Sequence, residues 1–418
     1  MDEKKLKLLR FAAFSTLVLW QLSLIFNYIV HFLSKDAFAW LGVKNIVYTA
    51  DFVRYYVAGQ MARSADHLRI YDIPAHLPYV NAIVSPLVVT QESSLNFPPT
   101  SFLIMSAVSL LPFIPAFLFW IIASASFAFA TLTFVLRRRA HSRIDCAMFC
   151  LAVANSVPAA ICIRIGQWCF WLVGLFSWFF YFAEANRPVI AGILLGLLTI
   201  KPQFSLPLLA MTAARKQWRT CLSAAITIAL INAAAAMLIG FQNVLNYPKF
   251  VSELEKTLGL GVFGETHASL RGLISNVFAE PTGFTISTSV YWIFLVLFTI
   301  MCAREKSRDA QITRLYWSMA MLVGVIAAPA MHPYDLVLLS VPAALTLTTL
   351  SPRLALKIKS LPQRIWHLVF LAYPCITWIK GCLPGNLNYI YALINLGLFV
   401  CAFLTVQELK RGPNSETV

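Results

Sequence analysis

The sequence predicts an all-α polytopic membrane protein, and three observations support that fold class. The chain has 418 residues, of which 59% are hydrophobic and only 12% are charged. Its mean hydropathy is +0.72, and a water-soluble chain needs more polar surface than this to cover its apolar volume. Long stretches such as 11–33 are apolar on every face, which indicates membrane helices rather than alternating strands.

The apolar segments predict about 12 transmembrane helices, at about 20 residues for each span. We place these spans near 11–32, 115–136, 145–162, 166–183, 188–200, 203–213, 221–240, 285–303, 313–331, 333–350, 365–379 and 389–407. The two shortest, 188–200 and 203–213, are expected to form a pair that turns back near Lys201. The first apolar segment is too long for a signal peptide, and we expect it to be retained.

The positions of the basic residues predict which side of the membrane each loop faces. Under this topology 22 of the 33 Lys and Arg residues, but only 8 of the 18 Asp and Glu residues, lie on the inner side. Short basic loops stay in the cytoplasm, so both termini are expected there. We therefore predict a multi-pass protein of the bacterial inner (plasma) membrane.

The chain is expected to be a single domain, 1–418, with two long outer loops at about 33–114 and 241–284. Loops of this length are usually functional or disordered. The first is rich in aromatic residues, which favours helices lying in the membrane interface. Within it, 102–111 is apolar but too short for a span, so we expect an interfacial or re-entrant helix.

Several classes of function have no support in the sequence. The net charge of +15 is spread in small clusters between apolar segments, whereas nucleic-acid binding needs one basic soluble face. The nine cysteines are scattered without a CxxC pair, so neither a metal site nor a disulfide framework is expected. Phosphate-binding loops and the short zinc-hydrolase and serine-hydrolase motifs are missing. We therefore expect no metal and no cofactor.

Asp51 is the main candidate for catalysis. It lies about nineteen residues beyond the first predicted span, where a partly desolvated carboxylate suits a general base that takes a proton from a sugar hydroxyl. The alternative is that Asp51 only caps the helix that follows it.

Further charged and polar candidates lie at the outer ends of the predicted spans. Lys201 has few acidic residues near it in sequence and suits a phosphate, although snorkelling to the interface is the competing interpretation. The segment from His332 to Asp335 either binds the ligand or forms a capped turn. Because these cations converge on the outer face, they predict a ligand with a lipid tail and an anionic head. The full set of predicted donor-binding residues is Arg54, Tyr55, Arg164, Gln167, Lys201, Gln203, Arg271, His332 and Asp335.

In the order of its motifs, the chain resembles glycosyltransferase family 87. These are integral membrane enzymes of the GT-C superfamily that include polyprenyl-phosphate-mannose-dependent α-mannosyltransferases. The resemblance extends over most of the chain. The motifs that carry it are 51–59 with Tyr71-Asp72, 97–99 with 111–112, Gly166-Gln167, 191–196 with 201–203, 269–272 and 332–335.

The resemblance implies a GT-C fold in which Asp51 is the general base and His332 lies at the donor phosphate or sugar. It implies inverting transfer of a hexose, by default mannose, from a polyprenyl-phosphate donor to a glycolipid or glycan acceptor. The chain departs from the family pattern at Phe97, Trp168 and the pair His267-Ala268. Because these positions lie near the expected sugar and acceptor sites, the departures affect the identity of the sugar more than the reaction class.

Two alternative functions are open at this point. A transporter or flippase of a lipid-linked sugar would need ionisable groups or broken helices near the middle of the bilayer, whereas the candidate charges lie at the ends of the predicted spans. A lipid-linked glycan ligase or polymerase would use a diphosphate-linked donor. Membrane lipids are expected neighbours in every case.

Overall fold

The computed structural model describes residues 51–85, 97–257, 267–279, 281–350, 352–381 and 387–411, with isolated positions between 12 and 23 and position 88. The first predicted span, 11–32, lies for the most part outside the described residues, as do the beginning of the first outer loop and residues 258–266 of the second.

The described part of the first outer loop is helical. Helix α1 (Asp51–Met61) is followed by two 3-10 turns (His67–Arg69 and Ile73–His76), α2 (Leu77–Val84) and α3 (Ser101–Val108). Helix α3 confirms that the short apolar segment near 102–111 forms a helix. It packs closely against α1 because Gly59 lacks a side chain, and a Cβ there would collide with the carbonyl of Met105.

The remaining described chain is a bundle of helices, which confirms the all-α fold class. Its first half contains α4 (Phe113–Arg138), α5 (Arg143–Ala154), α6 (Val157–Ile165), α7 (Cys169–Glu184), α8 (Pro188–Leu197) with a 3-10 turn (Leu198–Ile200), α9 (Pro202–Ala214) and α10 (Trp218–Ile239). Its second half contains α11 (Phe241–Thr257), α12 (Leu270–Ser275), α13 (Thr282–Arg304), α14 (Ala310–Ala327), a 3-10 segment (Pro333–Leu339), α15 (Ser340–Thr346), α16 (Pro352–Ala355), α17 (Leu361–Gly381) and α18 (Ile390–Arg411).

Five of the described helices are long and apolar enough to cross a membrane, or six spans if the bent pair α5 and α6 counts as one. The chain is therefore a polytopic membrane protein. Helices also occupy the other predicted positions beyond residue 113, but several of them are shorter than a span, so the number twelve stays a prediction.

The predicted span 145–162 is broken in the structure, because α5 and α6 are separate helices that meet at a bend of 63°. The hydroxyl of Ser156 caps α6 by accepting a hydrogen bond from the backbone N–H of Ala159. Pro158, in the first turn of α6, has no N–H to continue the ladder of α5. Hydropathy alone gave no sign of this break.

Helix α14 forms the centre of the bundle, whereas α10 lies at its periphery. In the most apolar 18-residue stretch of each helix, 78% of the α14 residues but only 17% of the α10 residues are buried. The exposed apolar face of α10 fits contact with lipid. The segment that follows α14 carries His332 and Asp335, so the central helix leads directly to the candidate site.

Candidate functional site

The candidate residues lie where helices end or break, and most of them meet in one region. Asp51, Arg54 and Tyr55 are on α1; Gln167 joins α6 to α7; Lys201 joins α8 to α9; and His332 and Asp335 follow α14. Their mutual contacts divide the site into an Asp51 half and a Lys201 half.

In the Asp51 half, the carboxylate is held from two sides and stays partly accessible. The side chain of Asp51 is 19% exposed, and its Oδ1 lies 3.2 Å from Nη1 of Arg54. Nε2 of Gln167 donates a close hydrogen bond to Oδ2. The carboxylate therefore keeps a fixed orientation while solvent or a ligand can still reach it.

The amide of Gln167 is itself locked in orientation. Its Oε1 accepts a hydrogen bond of 2.9 Å from the hydroxyl of Tyr55 and one of 3.3 Å from the backbone N–H of Trp168. Because both donors occupy the oxygen, the NH₂ group must face Asp51. Burial, together with the negative charge of Asp51, raises the pKa of Tyr55, so its hydroxyl remains the donor.

Gly166 explains why the chain can place Gln167 here. It ends α6 in the left-handed region, with φ of 72°, and a Cβ at this position would come within 2.5 Å of the Cβ of Phe52. The carbonyl of Gly166 also accepts a hydrogen bond of 2.9 Å from Nε1 of Trp120. A glycine is thus needed for the turn and for the close approach to α1.

In the Lys201 half, a buried carboxylate accepts three hydrogen bonds. Oδ1 of Asp335 lies 2.6 Å from Nζ of Lys201 and 3.2 Å from Sγ of Cys169, while Oδ2 accepts from the backbone N–H of His332 at 3.1 Å. Asp335 therefore supplies the acidic partner that the local sequence of Lys201 lacks. Burial opposes the charge of Lys201, but the attraction of Asp335 raises the pKa of the lysine overall.

His332 lies between the two halves. Its ring lies 4.6 Å, centroid to centroid, from that of His267, and 5.2 Å from that of Tyr334. Burial lowers its pKa, and the charges that act on it are those of Asp335, Asp51, Lys201 and Arg271. Because burial outweighs the nearby carboxylates, the imidazole is neutral at pH 7 and serves as a hydrogen-bonding group.

Arg271 and Gln203 support the segment that carries His332. Nη1 of Arg271 donates to the carbonyl of Pro329 at 2.8 Å, and the residue is fully buried. Nε2 of Gln203 donates to the carbonyl of Ala330 at 3.1 Å. The predicted donor-binding role of both residues stays a prediction, and their observed contacts hold the backbone before His332.

Arg164 is the one predicted site residue that this network does not include. It is exposed in the last turn of α6. Within the described ranges, no hydrogen bond or ion pair joins Arg164 to the other candidates.

Two groups contact the candidate site in ways that the sequence does not specify. The thiol of Cys169 hydrogen-bonds Asp335, and the ring of Phe97, a position expected near the sugar, has its centroid 4.1 Å from that of the Tyr55 ring. The closeness of Cys169 to Gln167 in the chain was the only available signal for the cysteine. Together, the site offers an accessible carboxylate, two paired cations and an aromatic wall, which is a set suited to a sugar phosphate and a hydroxyl nucleophile.

The chain matches the sequence model of a known protein family. The model of glycosyltransferase family 87 matches residues 96–352, a range that contains every candidate named above except Asp51, Arg54 and Tyr55. No curated protein matches the chain, and no solved structure does.

Proposed function

Because this chain belongs to glycosyltransferase family 87, we propose that it transfers a hexose from a polyprenyl-phosphate donor to an acceptor hydroxyl on the extracytoplasmic side, with inversion. The observation that carries the proposal is the oriented and partly exposed carboxylate of Asp51, which is paired with the cation of Arg54. Mannose is our first candidate for the sugar, and a glycolipid or glycan for the acceptor.

In the proposed reaction, Asp51 acts as the general base. The acceptor oxygen forms a bond to the anomeric carbon while its proton moves to Asp51, and the bond from that carbon to the phosphate oxygen breaks. The bonding electron pair leaves with the polyprenyl phosphate. Asp51 loses its negative charge in this step, so it no longer neutralises Arg54, which lies 3.2 Å away.

The leaving phosphate gains negative charge at the moment when Arg54 is released from its ion pair. Preorganised charges at such a position are worth about 3–4 kcal/mol when one is removed. We assign the same role to Lys201, with His332 donating a hydrogen bond to the phosphate or sugar. Gln167 and Tyr55 orient the base, Asp335 orients Lys201, and Gln203 and Arg271 position the segment before His332. The exposed Arg164 is left as a candidate contact for the lipid or the acceptor.

The test uses protein purified in detergent, where there is no membrane to cross and a transporter gives no product. Wild-type protein is offered a labelled polyprenyl-phosphate hexose or a polyprenyl-diphosphate glycan, each with an acceptor glycan. We expect product from the monophosphate donor. Product from the diphosphate donor alone would replace our proposal with a lipid-linked glycan ligase.

The base is tested separately with Asp51→Asn and a matched control, Asp72→Asn. Asp72 lies in the same outer loop, but its carboxylate pairs with Arg69 at the surface. We expect Asp51→Asn to abolish transfer and Asp72→Asn to preserve it, while both variants elute as folded protein. Substantial transfer by a folded Asp51→Asn variant would exclude Asp51 as the base.

A further inference from the structure

A second polar site lies at the other end of the central helix. A cavity of about 60 Å³ opens between the first turns of α14 and α17 and the end of α4, which is several times the room that one water molecule needs (about 10–15 Å³). Helix α14 has 18 residues, or about 27 Å of length, and the candidate active site follows its opposite end. The cavity is therefore separate from the proposed reaction centre.

Part of the cavity lining consists of groups that donate hydrogen bonds. Arg139 and Arg314 contribute guanidinium groups, and Gln311 and Gln363 contribute amides. The hydroxyl of Thr348 also faces the cavity, but it hydrogen-bonds Nε2 of His367 at 2.9 Å. Guanidinium groups that gather with amide donors form a suitable environment for the oxygens of a phosphate.

The charges at this cavity do not cancel. Arg314 forms an ion pair with Glu184. Arg139 is half-buried, and its pKa is lowered first by burial and then by the positive charge of Arg314, with Glu184 acting weakly in the opposite direction. Two cations thus share one carboxylate, which leaves one positive charge in excess. A desolvated excess charge is unfavourable unless an anion accompanies it.

We propose that this cavity binds one phosphate group, with Arg139 as its charge partner and the amides of Gln311 and Gln363 as further donors. The predicted topology places the cavity at the cytoplasmic end of the bundle. The phosphate can belong to a phospholipid of that leaflet or to a soluble phosphate, and the binding experiment separates these two sources.

The experiment measures binding calorimetrically to the full-length protein in a non-ionic detergent. One arm uses inorganic phosphate and the other uses a short-chain phosphatidylglycerol. Binding of phosphate alone identifies a soluble ligand, and binding of the lipid, with or without phosphate, identifies a headgroup site. If wild-type protein binds neither probe, the proposal is overturned.

The site of binding is assigned with three variants. Arg139→Gln removes the excess charge, and we expect affinity to fall at least tenfold. Arg138→Gln is the matched control. The side chain of Arg138, next to Arg139 in the sequence, is exposed and lies over the rings of Phe134 and Tyr181, not in the cavity. Lys201→Met tests whether the probe binds at the candidate active site.

We expect Arg138→Gln and Lys201→Met to bind as wild type does. A loss confined to Lys201→Met, or an equal loss in Arg138→Gln and Arg139→Gln, would overturn the assignment to this cavity. Thermal unfolding without ligand checks that each variant is folded. If Arg139→Gln is not folded, Gln311→Leu replaces it, and we expect the affinity for the probe to fall in that variant as well.

Discussion

The hydrogen bond from Gln167 to Asp51 gives a direct test of the proposed base. Gln167→Glu changes the shape of the side chain very little, but it replaces the NH₂ donor with a carboxylate oxygen facing Asp51. Two carboxylates about 3 Å apart repel by about 5 kcal/mol at an effective dielectric constant of 20. Solvent reduces this value because Asp51 is 19% exposed. The full repulsion corresponds to nearly four pKa units for the second ionisation of the carboxyl pair and keeps one proton on the pair at neutral pH, whereas half of it corresponds to about two units and keeps that proton only below about pH 6.

A pair that holds one proton cannot readily accept another from the acceptor. We therefore expect Gln167→Glu to reduce kcat/KM up to about tenfold at pH 7 and by more at pH 5.5, because one pH unit below the second ionisation only about one tenth of the pairs are free of the proton. Transfer should recover as the pH rises, because the second carboxyl then ionises. The assay is a pH–rate profile of hexose transfer between pH 5.5 and 9.5, for wild type and variant.

Two further substitutions grade the same interaction. Gln167→Leu removes a hydrogen bond to a charged group, worth about 1.5–3 kcal/mol, so we expect a loss of about 10- to 150-fold without recovery at high pH. Tyr55→Phe removes only the neutral hydrogen bond that locks the amide, worth about 0.5–1.5 kcal/mol, so its loss should be about 2- to 12-fold. A Gln167→Glu profile that coincides with the wild type, or a larger loss in Tyr55→Phe than in Gln167→Leu, would refute this reasoning.

Three other predictions concern neighbouring residues. Arg54→Gln should lower kcat much more than it raises KM, because Asp51 withdraws its negative charge from Arg54 only as it takes the proton. A change in KM alone would assign Arg54 to ground-state binding. Gly166→Ala should destabilise the protein by at least about 1–2 kcal/mol, because Gly166 has a left-handed backbone conformation. The control is Gly397→Ala, since nothing lies within 4 Å of a Cβ added there. Only Gly166→Ala should lower the unfolding temperature. Burial lowers the pKa of His332, so the unfolded chain binds the extra proton first and the stability of the protein should fall as the pH drops below about 6.5. The unfolding temperature of wild type should therefore fall between pH 7.5 and 5.5, and His332→Gln should make this fall smaller. An equal fall in both proteins would contradict the prediction.

That the candidate residues come together could be predicted, because their positions follow from hydropathy. Lys201 and His332 each lie where an apolar segment ends on the predicted outer side, and Asp51 follows the first such segment. A bundle brings the ends of neighbouring helices together, so their convergence required only the topology.

The pairing within the site could not be predicted in the same way. Lys201 meets Asp335 across 134 positions of the chain, and Gln167 meets Asp51 across 116. No local pattern specifies which of several polar groups at the same level will bond. For this reason the local sequence shows no acidic partner for Lys201, and it cannot show that Gln203 and Arg271 donate to backbone carbonyls.

The two ion pairs also explain how the proposed site can bind a charged lipid without a large free-energy cost of buried charge when no ligand is bound. If Lys201 and Arg54 lacked partners, burying them would cost several kcal/mol each before any donor arrived. Asp335 and Asp51 remove that cost, but they also weaken the attraction for phosphate. The two pairs differ in one respect: Asp335 has no part in proton transfer and accepts three hydrogen bonds, whereas Asp51 loses its charge during the proposed reaction. The charge of Lys201 is thus partly neutralised throughout the proposed reaction. The attraction of Arg54 for the leaving phosphate, in contrast, reaches its full strength only in the transition state. A positive charge that acts at that point accelerates transfer, whereas one that acts equally on the product would slow its release.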